Sequence, residues 1–224
     1  MMTLTPSDAV ALVRKNLDEV EPNGSVMYGD ENEDNRSIDD IVKKNLPEAI
    51  NAVQKAAPVS LLEGKEHLFS GSDTVTIDGG VLSFTLASPS KYMRLVAFQA
   101  ADSDIVVTDT IPEASPEGRK QLNQYIRGRA DRPRLVLLQG RHTGPAFKYY
   151  SLTDGSAYED DPASAIAQFS YVEEQLYSAS ATGYDISRRL RQNIIDRLTA
   201  MVMETYSDQR SQLFYQKANN FPII

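Results

Sequence analysis

Apolar side chains in this chain change their spacing twice, and that pattern constrains the fold more than any motif. Near the N-terminus Val10, Val13, Leu17 and Val20 recur at three- and four-residue steps, which places them along one side of a helix. Thr5-Pro6-Ser7-Asp8 supplies its start. Thr5 can cap the first turn, Pro6 tolerates the first helical position, and Asp8 sits at the positive end of the dipole. Pro22-Asn23-Gly24 stops the helix. A second stripe, Ile41, Val42, Leu46, Ile50, Val53 and Ala57, predicts a helix opening with a capping pattern at Ser37 and closing at Pro58. Pro47 lies inside it and predicts a kink or break near Asn45-Leu46, because proline removes one hydrogen bond and crowds the preceding turn.

From about Ser70 the spacing falls to two. Val75 and Ile77, then Asp78-Gly79-Gly80, then Leu82, Phe84 and Leu86 read as a hairpin with a tight glycine turn. Residues 92–99, 105–108, 134–139 and 146–152 read as further strands, and Phe169-Ser170-Tyr171-Val172 as a last extended piece. Between them Ser115-Pro116-Glu117 opens a helix through Leu122, Tyr125 and Ile126 that Gly128 ends. Helical spacing then returns: Ile186, Leu190, Ile194, Leu198, Met201 and Thr205 share one face, with Asp185 placed as N-cap. A shorter helix carries Leu213, Phe214 and Ala218, and Phe221-Pro222-Ile223-Ile224 forms an apolar tail. The fold class expected is α+β: a helical bundle from the N- and C-terminal helices with an inserted, antiparallel β-rich module. The corresponding segments are 1–66, 67–168 and 169–224.

Composition removes several functions. With no cysteine among 224 residues, disulfide frameworks, thiolate metal sites and cysteine nucleophiles are excluded. Apolar runs such as Leu135-Val136-Leu137-Leu138 are too short for a membrane span, and the N-terminus lacks a basic-then-apolar leader pattern. Net charge is −8, which disfavours binding DNA through a general basic surface, leaving Arg188, Arg189, Arg191 and Arg197 as a basic patch or a solvated helix face.

Residues able to carry chemistry are few. His67 and His142 are the only histidines. Ser70 or Ser72, His67 and Asp73 can be written as a serine-histidine-aspartate set, but no strand-turn-helix elbow presents the serine. Gln139 to Gly144 lacks the Gly-Lys-Ser/Thr ending of a phosphate loop. The acidic run Asp30 to Arg36 lacks the central glycine and terminal glutamate of a calcium loop, and reads as a solvated loop. Carboxylate pairs, Asp102 with Asp104 and Glu173 with Glu174, are too common to single out. No catalytic, cofactor or metal residue is expected, and no cofactor. The aromatic residues Phe169, Tyr171, Tyr177, Tyr184, Tyr206, Phe214, Tyr215 and Phe221 crowd the last quarter, where they can serve a core or an interface.

The order of elements resembles the head-to-tail connector, or adaptor ring, proteins of tailed bacteriophages, in the style of crAss-like phage neck proteins. The carriers are the helix from Thr5 to Val20, the proline-containing helix Ile38 to Ile50, the β-rich extension, the aromatic piece Phe169 to Val172 and the helix pair ending Asp208 to Asn219. The resemblance covers roughly residues 1–60 and 165–220, as a pattern of elements rather than an invariant motif. It implies a structural virion protein and no enzyme: a homo-oligomeric ring of about twelve copies beneath the portal protein. Other neck or tail proteins would dock on the ring, and DNA would pass through its channel without sequence-specific binding. It implies no membrane, a place in the virion neck and the host cytoplasm during assembly. The interface candidates are Arg188, Arg189, Tyr206, Leu213, Phe214, Tyr215, Phe221, Ile223 and Ile224. The alternatives are an assembly chaperone, a host-directed binding module, or a hydrolase using His67 or His142.

Overall fold

A computed structural model describes residues 1–20, 33–87, 92–138, 144–153 and 155–222, with backbone alone for 18–20 and 33–37. In chain order the elements are β1 (Met2–Leu4), α1 (Pro6–Val20), α2 (Glu33–Ala56), β2 (Lys65–Glu66), β3 (Thr74–Asp78), β4 (Val81–Thr85), β5 (Tyr92–Ala100) and β6 (Thr110–Pro112). They continue with α3 (Pro116–Lys120), β7 (Leu135–Leu138), β8 (Ala146–Tyr149), β9 (Ile166–Glu173), β10 (Tyr184–Ile186), α4 (Arg191–Thr205) and α5 (Ser211–Ala218). This is a mixed helix-and-sheet chain, and it divides into two compact units: residues 1–63 with 175–224, and residues 64–174.

In the first unit α1 starts as its sequence dictates. The Asp8 backbone N–H donates to Thr5 Oγ1 at 3.1 Å, and the Thr5 hydroxyl donates back to Asp8 Oδ2 at 2.7 Å, so one orphan donor of the first turn is satisfied. Helix α2 begins at Glu33, ahead of the expected Ser37, and runs through Pro47 without a break. Proline inside a helix costs about 3 kcal/mol. Val42, Leu46, Ala49, Ile50 and Val53 are buried on both sides of it, and burying one large aliphatic side chain returns about 1.5–3 kcal/mol, so packing holds the helix together across the defect.

The C-terminal helix differs more from expectation. Tyr184, Asp185 and Ile186 are not its first turn: they form β10, paired antiparallel with β1 in the register Met2↔Ile186, Thr3↔Asp185 and Leu4↔Tyr184. Asp185 accepts from the Thr3 hydroxyl at 3.0 Å instead of capping a helix. Tyr184 and Ile186 are buried around an exposed Asp185, a two-residue alternation whose partner strand lies at the other end of the sequence. Helix α4 then starts at Arg191 and is buried nearly all round, from Asn193 to Met203, as expected of a helix enclosed by others. It contacts α1, α2 and α5. Of the stripe predicted for this helix, Leu190, Ile194 and Leu198 are covered within its own unit, while Met201 is half-buried and Thr205 exposed.

The second unit holds two sheets. One has five strands in the order β3-β4-β8-β7-β6, the other three in the order β2-β9-β5. The β3–β4 hairpin turns on Gly79 and Gly80, both at positive φ (+54° and +75°), with Asp78 opposite Val81. Two consecutive left-handed residues make the turn whose twist matches the strands, and glycine adopts it without Cβ strain. Leu82, Phe84, Leu135, Phe147 and Tyr149 of the larger sheet form one core with Leu95, Phe98, Phe169 and Tyr171 of the smaller. Phe84 is its hub, with the rings of Phe147, Phe169 and Phe98 at 5.0, 5.5 and 5.8 Å.

Two expectations shift here. Phe169 to Val172 lies inside β9, hydrogen-bonded between β2 and β5, so this aromatic piece belongs with the sheets. And the module is not wholly antiparallel, because β6 and β7 run parallel. Parallel neighbours require a crossover rather than a hairpin, and residues 113–134, carrying α3, supply it. Residues 105–108 contribute only the bridge Phe98↔Val107.

Candidate functional site

The nominal serine-histidine-aspartate set does converge, wired around the carboxylate. His67 Nε2 lies 3.1 Å from Asp73 Oδ2, which also accepts from the Ser70 N–H at 3.0 Å, while Asp73 Oδ1 accepts from the Ala87 N–H at 2.8 Å. Ser70 Oγ is 2.8 Å from Ser72 Oγ and 3.4 Å from Asp73. Neither hydroxyl is paired with the imidazole, so the bond from nucleophile to base that covalent catalysis needs is missing. Burial pushes the Asp73 carboxyl up, but the Ala87 and Ser70 N–H groups and His67 together hold it below the ordinary aspartate value. The His67 ring packs edge-on against Phe69 at 4.9 Å. This arrangement locks a loop.

Glu173 is likewise engaged, accepting from Lys65 Nζ at 3.1 Å and from the Tyr171 hydroxyl at 3.2 Å; burial first, then Glu173, push the Tyr171 phenol up. Asp102 accepts from the Thr153 N–H. Among the described residues no three His, Asp or Glu side chains converge as a metal set, and no helix is long and apolar enough to cross a membrane. His142 and Asp30 to Asn32 lie outside the described residues.

The C-terminal interface candidates separate on burial. Phe214 is buried in the packing of α5, its ring under Lys217 Nζ at 4.6 Å; it is not available to a partner, because α5 uses it to close against α4. Tyr215 is half-buried, with the Arg197 guanidinium 5.2 Å from its ring centre and its hydroxyl donated to Glu204. Burial, then Glu204, push that phenol up to about 12. Arg188 is exposed, and Arg189 donates to the Ser60 carbonyl at 3.3 Å. Tyr206 and Leu213 are exposed at 40% and 52%, and Phe221 is half-buried. Ile223 and Ile224 lie outside the described residues.

A more prominent surface sits on the β6–β7 crossover, where the residue pattern predicts only a short helix. The predicted helix stops at Lys120. Ser115 Oγ caps it by accepting from the Gly118 N–H at 3.0 Å, and the helix lies so close to β6 that a Cβ on Gly118 would stand 2.3 Å from the Pro112 carbonyl oxygen. Buried Gln121 then holds the loop, accepting from the Gly128 N–H at 2.7 Å and donating to the Glu117 carbonyl at 3.2 Å. Leu122, Tyr125 and Ile126 are left 70%, 77% and 58% exposed. A pocket of about 620 Å3 opens beside Tyr125 and Ile126, lined in part by Lys120, Arg127, Arg129, Arg132 and Arg134. None of these five cations is ion-paired with a described residue.

No protein-family model matches the chain, and no curated protein matches it. The local charge count was the signal for this surface: residues 119–134 hold six bases and one acid, net +5, inside a chain of net −8.

Proposed function

We propose that this chain is a structural virion protein of a tailed-phage neck, assembling into a ring that joins the portal to the tail and lets DNA pass through its channel. In this reading the unit built from both chain ends is a helical bundle forming the ring body, and residues 64–174 are the inserted module. It carries no catalytic function.

One observation carries the reading. Exposed Leu122, Tyr125 and Ile126 lie on a loop pinned by Gln121, with arginines that have no ion-pair partner among the described residues. Contiguous apolar surface enriched in tyrosine and arginine is the composition of a protein–protein contact. Exposed Tyr206, Leu213, Arg188 and Arg189 offer further docking residues for the portal or later neck proteins. A net charge of −8 suits a conduit that DNA must slide through.

The test is native mass measurement of the purified protein, alone and with the portal of the same phage, together with protein identification in purified particles. A discrete ring, or binding to the portal, and presence in finished particles are expected. A persistent monomer that ignores the portal refutes the ring, and absence from finished particles refutes a virion component in favour of an assembly chaperone.

A further inference from the structure

The five-stranded sheet ends in β6 on one side and β3 on the other, so its edges are four strand spacings apart, roughly 19 Å. These edges carry opposite chemistry. Helix α3 contacts β6 and begins the basic crossover, where Arg119, Lys120, Arg129 and Arg132 are exposed around Leu122 and Tyr125. On the other edge the 3-10 turns Gly155–Tyr158 and Pro162–Ala165 both contact β3. Between those turns Glu159, Asp160 and Asp161 are all exposed, and exposed Asp78 ends β3 itself. An exposed apolar residue also stands on that side. Leu68 is 81% exposed and lines a depression of about 280 Å3 with Glu66 and Asp161.

We infer that the occupant of the basic edge is the acidic edge of a second copy of this chain, docked head to tail through the β module. The inference rests on the ring reading above and names its interface. Like edges repel, so a two-fold contact of basic edge on basic edge is disfavoured, whereas basic on acidic repeats without limit until the rotation closes a ring. Nucleic acid would match the cations and Tyr125, but it offers nothing to exposed Leu122 and Ile126. The acidic edge offers both carboxylates and Leu68.

The test uses two variants of the full chain, changed only at exposed positions. In the first, Arg119, Lys120, Arg129 and Arg132 are each replaced by Glu, making both edges acidic; in the second, Glu159, Asp160 and Asp161 are each replaced by Lys, making both edges basic. Circular dichroism confirms that each folds, and sedimentation measures association, alone and on purified portal. Each variant is expected to self-associate at least about tenfold more weakly than the parent chain. An equimolar mixture should recover assembly, because each variant supplies the edge the other lacks. If the parent chain assembles and both variants assemble equally well, this interface is overturned while the ring reading stands. If the parent chain is a monomer even on the portal, both fall. If only the first variant is impaired, the mixture is not rescued and retention of duplex DNA is lost, the basic edge is a nucleic-acid contact and the inference is overturned.

Discussion

Replacing Asp73 by Asn or Ala tests whether the His67 cluster is a lock on the loop before the β3–β4 hairpin. The side chain is 2% exposed and accepts from the Ala87 N–H at 2.8 Å, the Ser70 N–H at 3.0 Å and His67 at 3.1 Å. A hydrogen bond to a charged group contributes about 1.5–3 kcal/mol net, and an orphaned buried donor costs about 1–3 kcal/mol. Part of that gain is cancelled by the cost of burying the carboxylate. The balance predicts a loss of about 3 kcal/mol for Asp73→Ala. Asp73→Asn should lose nearly as much: one amide oxygen can face Ala87 or the Ser70 and His67 pair, and its NH2 then opposes a donor. The pH dependence follows from the lowered carboxyl. Its contribution is fully present above the ordinary aspartate value of 3.8 and is lost as pH falls through the lower folded value. The difference between parent and Asp73→Asn should therefore hold from neutral pH to about 4 and shrink only below that. Urea unfolding followed by tyrosine fluorescence measures it, since the chain has eleven tyrosines and no tryptophan. A loss below about 1 kcal/mol, or a difference already fading at pH 6, refutes the reasoning.

Three further outcomes are expected. Burial pushes the Asp196 carboxyl up, with Gln192, Lys217 and Asn16 only partly offsetting it, so its charge opposes folding at neutral pH. Asp196→Asn should raise the melting temperature at pH 7, and the gap should close as pH falls toward 3.8 and the folded parent takes up its proton. Asn193 donates to the Ala218 and Asn220 carbonyls at 2.9 and 3.1 Å. Asn193→Ala should cost about 1–2 kcal/mol and speed tryptic cleavage after Lys217; unchanged cleavage would show that α5 does not depend on this cap. Gly118→Ala should cost about 1–3 kcal/mol, because the added Cβ meets the Pro112 and Glu113 carbonyl oxygens at 2.3 and 2.7 Å, and hydrogen exchange should rise in α3. A melting temperature equal to the parent's would show that α3 can move off β6 without cost.

Particular elements show which parts were legible. The start of α1 was, because Thr5, Pro6 and Asp8 act within one turn and need nothing distant. The β3–β4 hairpin was, because the two-residue alternation and two glycines determine a turn locally. Helix α2 was legible in its stripe, whereas its continuity through Pro47 was not, since that depends on how much apolar surface its neighbours cover. The basic crossover could have been read by counting charge between 119 and 134, but its role as a parallel connection could not.

By itself, then, the sequence determined the alternation of helical and extended segments, the turn chemistry, and the absence of any cysteine chemistry, all of which arise from spacing and residue type. Tertiary structure decided the rest. It turned Tyr184 to Ile186 into a strand because Met2 to Leu4 lies beside them, and placed Phe169 to Val172 within a sheet between β2 and β5. It enclosed α4 so that Ile194 and Leu198 of its predicted apolar face are covered within its own unit, and it left Leu122, Tyr125 and Ile126 exposed. Apolar residues record only that burial is favourable; which surface covers them depends on contacts between residues far apart in the chain, and spacing along one strand of sequence does not encode those.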